Sequence, residues 1–374
     1  DIDRKAAQRT KQHYYELLSE ISKVKECSPD KGDDIRICES AEELLGIVDM
    51  VDVCTSLRYH AYYCALALER GVHAMTEKPM ARTWWEARHV AEISKNGKAF
   101  FQLNDDNVFL PRYQALRNII EGGMIGEVQN IWIARGNPGS GRSPWFWNPI
   151  ESGGGSIMDY GSHAVASTWF LIGYDKVPSE VRSLGVRVKD RTRLVNGMLQ
   201  QIEVDDDAHF KIRFVNPENG DWINVVVEAT WTYTDLGPNG SDVRGYIEVE
   251  GSEGTVTGYF DEQDREFFRI KHRSFGERLI PVTSVPSEEF SIRDEINNFA
   301  QCVSMGKKSV LNADVGAGVI AILNCAQLSE LKGRITVTVN DLEAFCRQVA
   351  GDSKDPWNAG DRISVALNEP YKIK

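Results

Sequence analysis

The chain has 374 residues, 42% hydrophobic and 26% charged, with a formal net charge of −12. This is ordinary globular composition, long enough for two domains. The acidic balance is spread along the chain and excludes nucleic acid, which needs a basic patch; no apolar run reaches the roughly 18–20 residues of a membrane span.

The first hundred residues alternate helix and strand. "DRKAAQRTKQHYYELLSEI" reads as a helix, "DIRIC" as a short strand, and "SAEELLG" as a helix opened by the capping residue Ser40. "VDMVDVCTS", "VHAMTEKP" and "AFFQLND" are strands, separated by the helices "AYYCALALERG" and "TWWEARHVAEISKNG". Strands alternating with helices predict a Rossmann-type, doubly wound parallel sheet. Such sheets bind ligands at the carboxyl ends of their strands. The polar tips "CTS", "TEKP" and "QLNDDN" all fall there. After the helix "RYQALRNIIEGGMIGEV" the pattern changes to β-branched and aromatic strands with short turns: "VQNIWIAR", "VRSLGVRV", "AHFKIRFV", "INVVVEATWTY", "GYIEVEG" and "GTVTGYF". These predict an open, mainly antiparallel sheet in a second, α+β domain. Helices return at "IRDEINNFAQCVSM" and "GAGVIAILNCAQLSEL". The division expected is 1–110 for the dinucleotide-binding domain and 111–374 for a substrate-binding and oligomerisation domain.

The seven cysteines show no CxxC and no Cys/His ligand spacing, so they read as reduced thiols in a cytoplasmic setting, without a metal site. The acidic run "EVDDDAH" (203–209) reads as a solvated turn at a strand start rather than as metal ligands. No GxGxxG phosphate loop follows a first strand, and the chain opens on "DID", which looks like the tip of a second strand. A parallel sheet lacking its central strand would leave buried backbone groups unpaired. The first strand and Gly-rich turn are therefore expected in about 30–40 further residues ahead of Asp1.

The stretch "SGGGSIMDYGSH" (152–163) places three glycines before an acid and a His at i,i+4, which share a helix face. Together with "TEKPM" (76–80), "GGMIGEVQNI", "WFWNPIESGGGSIMDYGSH" and "YIEVEGSEGTV", in this order, it resembles the Gfo/Idh/MocA family of nicotinamide-dependent sugar and polyol oxidoreductases. The resemblance covers nearly the whole chain. It implies NAD as cofactor, with NADP as the alternative, and a small carbohydrate or polyol substrate. The activity implied is hydride transfer at a secondary hydroxyl of a sugar, glycoside or inositol. It also implies a homo-oligomer, dimer or tetramer, built on the open sheet face.

Residue by residue, the resemblance puts Lys78 and His163 in catalysis. His titrates nearest neutral pH and suits proton transfer; the Lys78 ammonium suits a developing alkoxide. Asp159 is expected to orient His163, and the glycine run to let the backbone pass close to the nicotinamide. Cofactor contacts are expected from Asp1, Thr55, Ser56, His60, Glu77 and Lys78, with His60 read first as a cap for the strand-end turn. Asp1 would accept hydrogen bonds from the ribose diol and favour NAD, although Arg4 and Lys5 could pair with a 2′-phosphate. Asn107, Tyr160 and Trp147 are expected at the substrate. Two positions depart from the family pattern. Ala166 stands where a second Asp often follows D-x-G-x-H, and "NDDNVF" (104–109) stands where a basic residue is usual. Acids and amides there suit a neutral polyol, or form a solvated turn. Two alternatives remain open: an NAD-dependent glycoside-cleaving enzyme of the same superfamily, and a ligand-sensing regulator that kept the fold without catalysis.

Overall fold

Residues 3–25, 35–139, 141, 143–233, 244–261, 263, 265–282 and 288–372 are described by a computed structural model. They fall into two compact units, Asp1–Val51 and Asp52–Lys374. The first holds helices α1 (Arg4–Lys25) and α2 (Ala41–Leu45), the latter capped by Ser40, whose hydroxyl accepts from Glu43 N–H. Ile35–Cys38, expected as a strand, has no regular structure; the Ile35 N–H donates to the Tyr15 hydroxyl at 3.0 Å instead of to a neighbouring strand.

Three strands form the small sheet in the order β1 (Met50–Val53), β2 (His73–Glu77) and β3 (Phe101–Asn104). β2 and β3 pair in parallel from Ala74↔Phe101 to Glu77↔Asn104, so Glu77 and Asn104 finish level at one edge. Helices α3 (His60–Glu69) and α4 (Trp84–Asn96) make the crossovers. α4 starts at a capping box in which Thr83 and Glu86 satisfy each other's backbone N–H groups. α5 (Pro111–Glu121) leads away, with proline at its first turn where no N–H partner is needed.

An eight-stranded sheet follows. Its strands are β4 (Val128–Gly136), β5 (Val177–Arg187), β8 (Asp207–Val215), β9 (Trp222–Thr230), β10 (Arg244–Gly251), β11 (Gly254–Phe260), β12 (Glu266–His272) and β13 (Gly276–Pro281). Their order is β13-β12-β11-β10-β4-β9-β8-β5, antiparallel except for the β4–β9 pair. β6 (Thr192–Val195) and β7 (Met198–Gln201) form a separate hairpin. Alternation is clear where one face is covered: Phe210, Ile212 and Phe214 of β8 and Val225 and Val227 of β9 are buried. On the opposite face Trp132, Trp222 and Tyr246 are exposed.

The covering layer includes α7 (Ser156–Ile172), preceded by the short α6 (Pro149–Ser152), and α9 (Ala313–Leu331). The two pack closely, because a Cβ on Gly318 would stand 2.5 Å from the Trp169 ring. α8 (Glu288–Ser304), α10 (Val339–Ala350) and α11 (Pro356–Leu367) complete the chain. Strands β12 and β13 and helices α10 and α11 are additions to the elements read from the sequence. In β12 and β13 only Phe268 and Ile270 are strongly buried, so the alternation that marks a strand is diluted by Arg, Lys and Glu.

Candidate active site

α7 begins without a cap of its own, since Gly155 stands at its N-cap. The missing acceptor comes from Asp205. Its carboxylate accepts from Gly155 N–H, Ile157 N–H and the Ser156 hydroxyl, each at 2.8 Å, and is fully buried. Burial pushes this carboxyl up to about 6 despite those three donors. Asp206 and Asp207 are equally buried and paired, Asp206 with Arg193 at 2.5 Å and Asp207 with Arg187 at 2.8 Å. The 203–209 run is thus a set of internal anchors, not a solvated turn.

The glycine run answers to the same packing. Gly153 has φ +72°, and a Cβ there would lie 2.9 Å from the Arg82 backbone; on Gly155 it would lie 1.7 Å from the Asp205 carbonyl oxygen. The protein's own chain passes close to Gly153 and Gly155.

With its start so anchored, α7 presents Asp159 and His163 toward the strand tips. Lys78 Nζ donates to Asp159 Oδ1 at 2.6 Å, and Trp231 Nε1 donates to Asp159 Oδ2 at 2.9 Å. Burial opposes the charge on Asp159, but Lys78, His163 and the indole together hold its carboxyl below the usual range. Both its oxygens are engaged, Oδ1 by Lys78 and Oδ2 by Trp231. The partner of His163 is Asp105, whose Oδ1 lies 2.9 Å from Nδ1. Asp105 directly follows β3 and is fully buried, not part of a solvated turn. Burial is again outweighed, here by His163, Lys78 and Arg135, so this carboxyl is also held low.

The remaining expected residues fall out unevenly. His60 is buried with Nδ1 2.9 Å from the Pro79 carbonyl and Nε2 2.9 Å from the Thr55 carbonyl. It ties the β1 tip to the loop after β2 and has no ring nitrogen left for a cofactor. Thr55 is exposed, and Ser56, Glu77 and Lys78 are partly exposed, at the ends of β1 and β2. Asn107 is buried and its Nδ2 has no hydrogen-bond partner among the described residues, as is true of Asp105 Oδ2. Tyr160 is buried, its ring centroid 6.4 Å from that of His163. Trp147 is buried edge-on against Trp231 at 4.7 Å, an interior position rather than a sugar platform. Asp1 and Cys27 lie outside the described residues; the six described cysteines are free thiols. Trp231 and Asp105 are the site residues that motif reading did not assign. Asp105, Asp106 and His163 also bring one possible metal-ligand atom each within 4.8 Å of the others.

The polar tips of a parallel sheet, set beside a helix that carries Asp159 and His163, define the architecture of a two-domain NAD-binding oxidoreductase. The chain belongs to the Gfo/Idh/MocA family. Residues 6–104 match its profile described as "Oxidoreductase family, NAD-binding Rossmann fold", and residues 113–257 match its C-terminal domain. The chain is similar to the D-glucoside 3-dehydrogenase of Escherichia coli, 31% identical over 133 residues, 35% of this chain and 38% of that one. It is also similar to the levoglucosan dehydrogenase of Pseudarthrobacter phenanthrenivorans, 25% identical over 273 residues, 64% of this chain and 66% of that one. The matches thus span from 38% to 66% of these relatives' own length. A solved levoglucosan dehydrogenase in complex with NADH and L-sorbose superposes with TM-score 0.68 at 22% identity, covering 80% of this chain and 83% of that one; this likeness concerns the fold.

The residues present fit the nicotinamide end of such a cofactor. Thr55 stands exposed beyond the end of a parallel strand, and Asn107 Nδ2 is a buried donor without a partner among the described residues.

Proposed function

We propose that this protein transfers a hydride between NAD and a secondary hydroxyl of a neutral sugar, glycoside or inositol. The observation that carries the reading is the Lys78–Asp159 pair at 2.6 Å, with Asp159 on the same α7 as His163, whose Nδ1 faces Asp105 at 2.9 Å. A bound nicotinamide supplies the hydride acceptor or donor; Thr55, Ser56, Glu77 and Lys78 would hold it. His163 takes the hydroxyl proton in the oxidative direction and returns it in the reductive one. Lys78 stabilises oxyanion character on the substrate oxygen, and Asp159, itself held by Trp231, keeps the ammonium in place. The acids Asp105 and Asp106 disfavour an anionic substrate. The relatives' names, which specify a D-glucoside and levoglucosan, support the carbohydrate class.

The test is absorbance at 340 nm with NAD and a panel of neutral sugars, glycosides and inositols. Lys78→Ala and His163→Ala should each lower kcat by about 10²-fold or more and leave cofactor affinity within a fewfold. Near-normal turnover in both variants would remove the assignment. Aglycone release without net NADH would instead indicate transient oxidation with bond cleavage. The exposed face bearing Trp132, Trp222 and Tyr246 supports a homo-oligomer, which light scattering measures.

A further inference from the structure

We propose that Asp105, not the acid on the His-bearing helix, is the positioning residue for His163, and that it selects the protonation form in which Nε2 is the proton acceptor. The proposal rests on the reading of His163 as the acid–base group. An i,i+4 acid is the obvious orienting partner on a helix, yet both Asp159 oxygens are engaged, one by Lys78 at 2.6 Å and the other by Trp231 at 2.9 Å. Asp105 reaches His163 from the end of β3, 58 residues earlier in the chain, with Oδ1 2.9 Å from Nδ1.

The chemistry follows from charge. A carboxylate held below its usual range stays ionised at neutral pH and can only accept a hydrogen bond. Nδ1 must therefore carry the hydrogen, and the neutral ring keeps its lone pair on Nε2. Asp105 is itself held in place: its backbone carbonyl accepts from Val108 N–H at 3.1 Å in the turn that follows. A fully buried acid turned onto one ring nitrogen costs desolvation, which Lys78 and Arg135 offset electrostatically.

Two measurements test this, and the first does not depend on turnover. In the full-length protein labelled with 15N-histidine, the His163 signals, assigned by their loss in His163→Gln, should show the Nδ1–H form when the ring is neutral. In Asp105→Ala they should move toward the Nε2–H form or an exchange average. A wild-type ring in the Nε2–H form overturns the proposal, whether or not a substrate has been found. If Asp105→Ala does not fold, the wild-type spectrum alone decides.

The second measurement uses Asp105→Asn, which keeps the volume and removes the charge. It should lower kcat by about 10²-fold with KM and NADH affinity within about threefold, and Asp105→Glu should recover part of the loss. The other charged and titratable groups about the ring are Lys78 after β2, Asp106 after β3, Arg135 on β4, and Asp159 and Tyr160 on α7; these stay the same in the comparison. An unchanged kcat in Asp105→Asn would overturn the role of Asp105, whereas Lys78→Ala and His163→Ala test the activity itself.

Discussion

Trp231 shows how a single side chain can matter without being recognisable in a motif. It is 1% exposed, packs edge-on against Trp147, and its one polar atom donates to Asp159 Oδ2 at 2.9 Å. A hydrogen bond to a charged acceptor contributes about 1.5–3 kcal/mol, and a buried acceptor left without its donor is expensive. Trp231→Phe keeps most of the packing and removes that donor. It should lower unfolding free energy by about 2 kcal/mol, read by chemical denaturation, and lower kcat more than it raises KM, since Lys78 then shares a less constrained carboxylate. Equal loss in Trp231→Phe and in a Trp147→Phe control would show that packing alone is at stake. In the sequence, Trp231 is one of nine tryptophans and directly follows a strand; nothing local distinguishes it.

Helix α7 depends on a residue 50 positions away in the chain. Three donors at its start, Gly155 N–H, Ser156 Oγ and Ile157 N–H, converge on Asp205, and Ser156 N–H donates to the Asp205 carbonyl oxygen at 3.1 Å. A helix leaves its first N–H groups without intrahelical partners, and burial makes that costly. Asp205→Ala should therefore destabilise the protein by about 3 kcal/mol, combining a lost cap with orphaned buried donors, as denaturant titration will show. The pH dependence has a definite sign. The Asp205 carboxyl is raised from 3.8 to about 6, so the native state holds its proton more tightly than the unfolded chain. Its contribution is fully present below about pH 4 and declines as pH rises through 6. Wild type minus Asp205→Asn, measured at pH 4.5 and pH 7, should show a smaller difference at the higher pH.

Across the unit from Asp52 to Lys374, carboxylates gather near the carboxyl edge of the parallel sheet. Glu295 on α8 is 2% exposed, and burial together with Asp105, Glu77, Asp106 and Asp52 pushes it up to about 10. It is thus protonated at neutral pH, a neutral side chain among acids. Its folded value lies above the unfolded one, so its stabilising contribution is complete below about pH 4.5 and lost as pH rises toward 10. Glu295→Gln mimics the protonated acid. The variant should match wild type near pH 5 and be the more stable of the two at pH 9, with thermal melts at both values as the measurement. A variant less stable at pH 9 would mean that the fold stabilises the ionised Glu295.

The alternation of apolar strands and helices, the polar strand tips, the ordering of "TEKPM" before "GGGSIMDYGSH", and the Ser40 cap are local or periodic properties, and each was legible in the sequence alone. So were the placement of Asp159 and His163 on one helix and the family that these motifs imply. Partner choice was not legible. Asp159 faces Lys78 and Trp231, Asp105 faces His163, and Asp205 faces the start of α7, pairs separated by 81, 72, 58 and 48–50 residues in the order of the contacts named. Burial decided these pairings: an ionised acid shut away from water must find donors, and only the folded chain determines which lie within 3 Å. The same physics turned "NDDNVF" and "EVDDDAH" from apparent solvent turns into interior anchors, because their strands end inside the protein rather than at its surface.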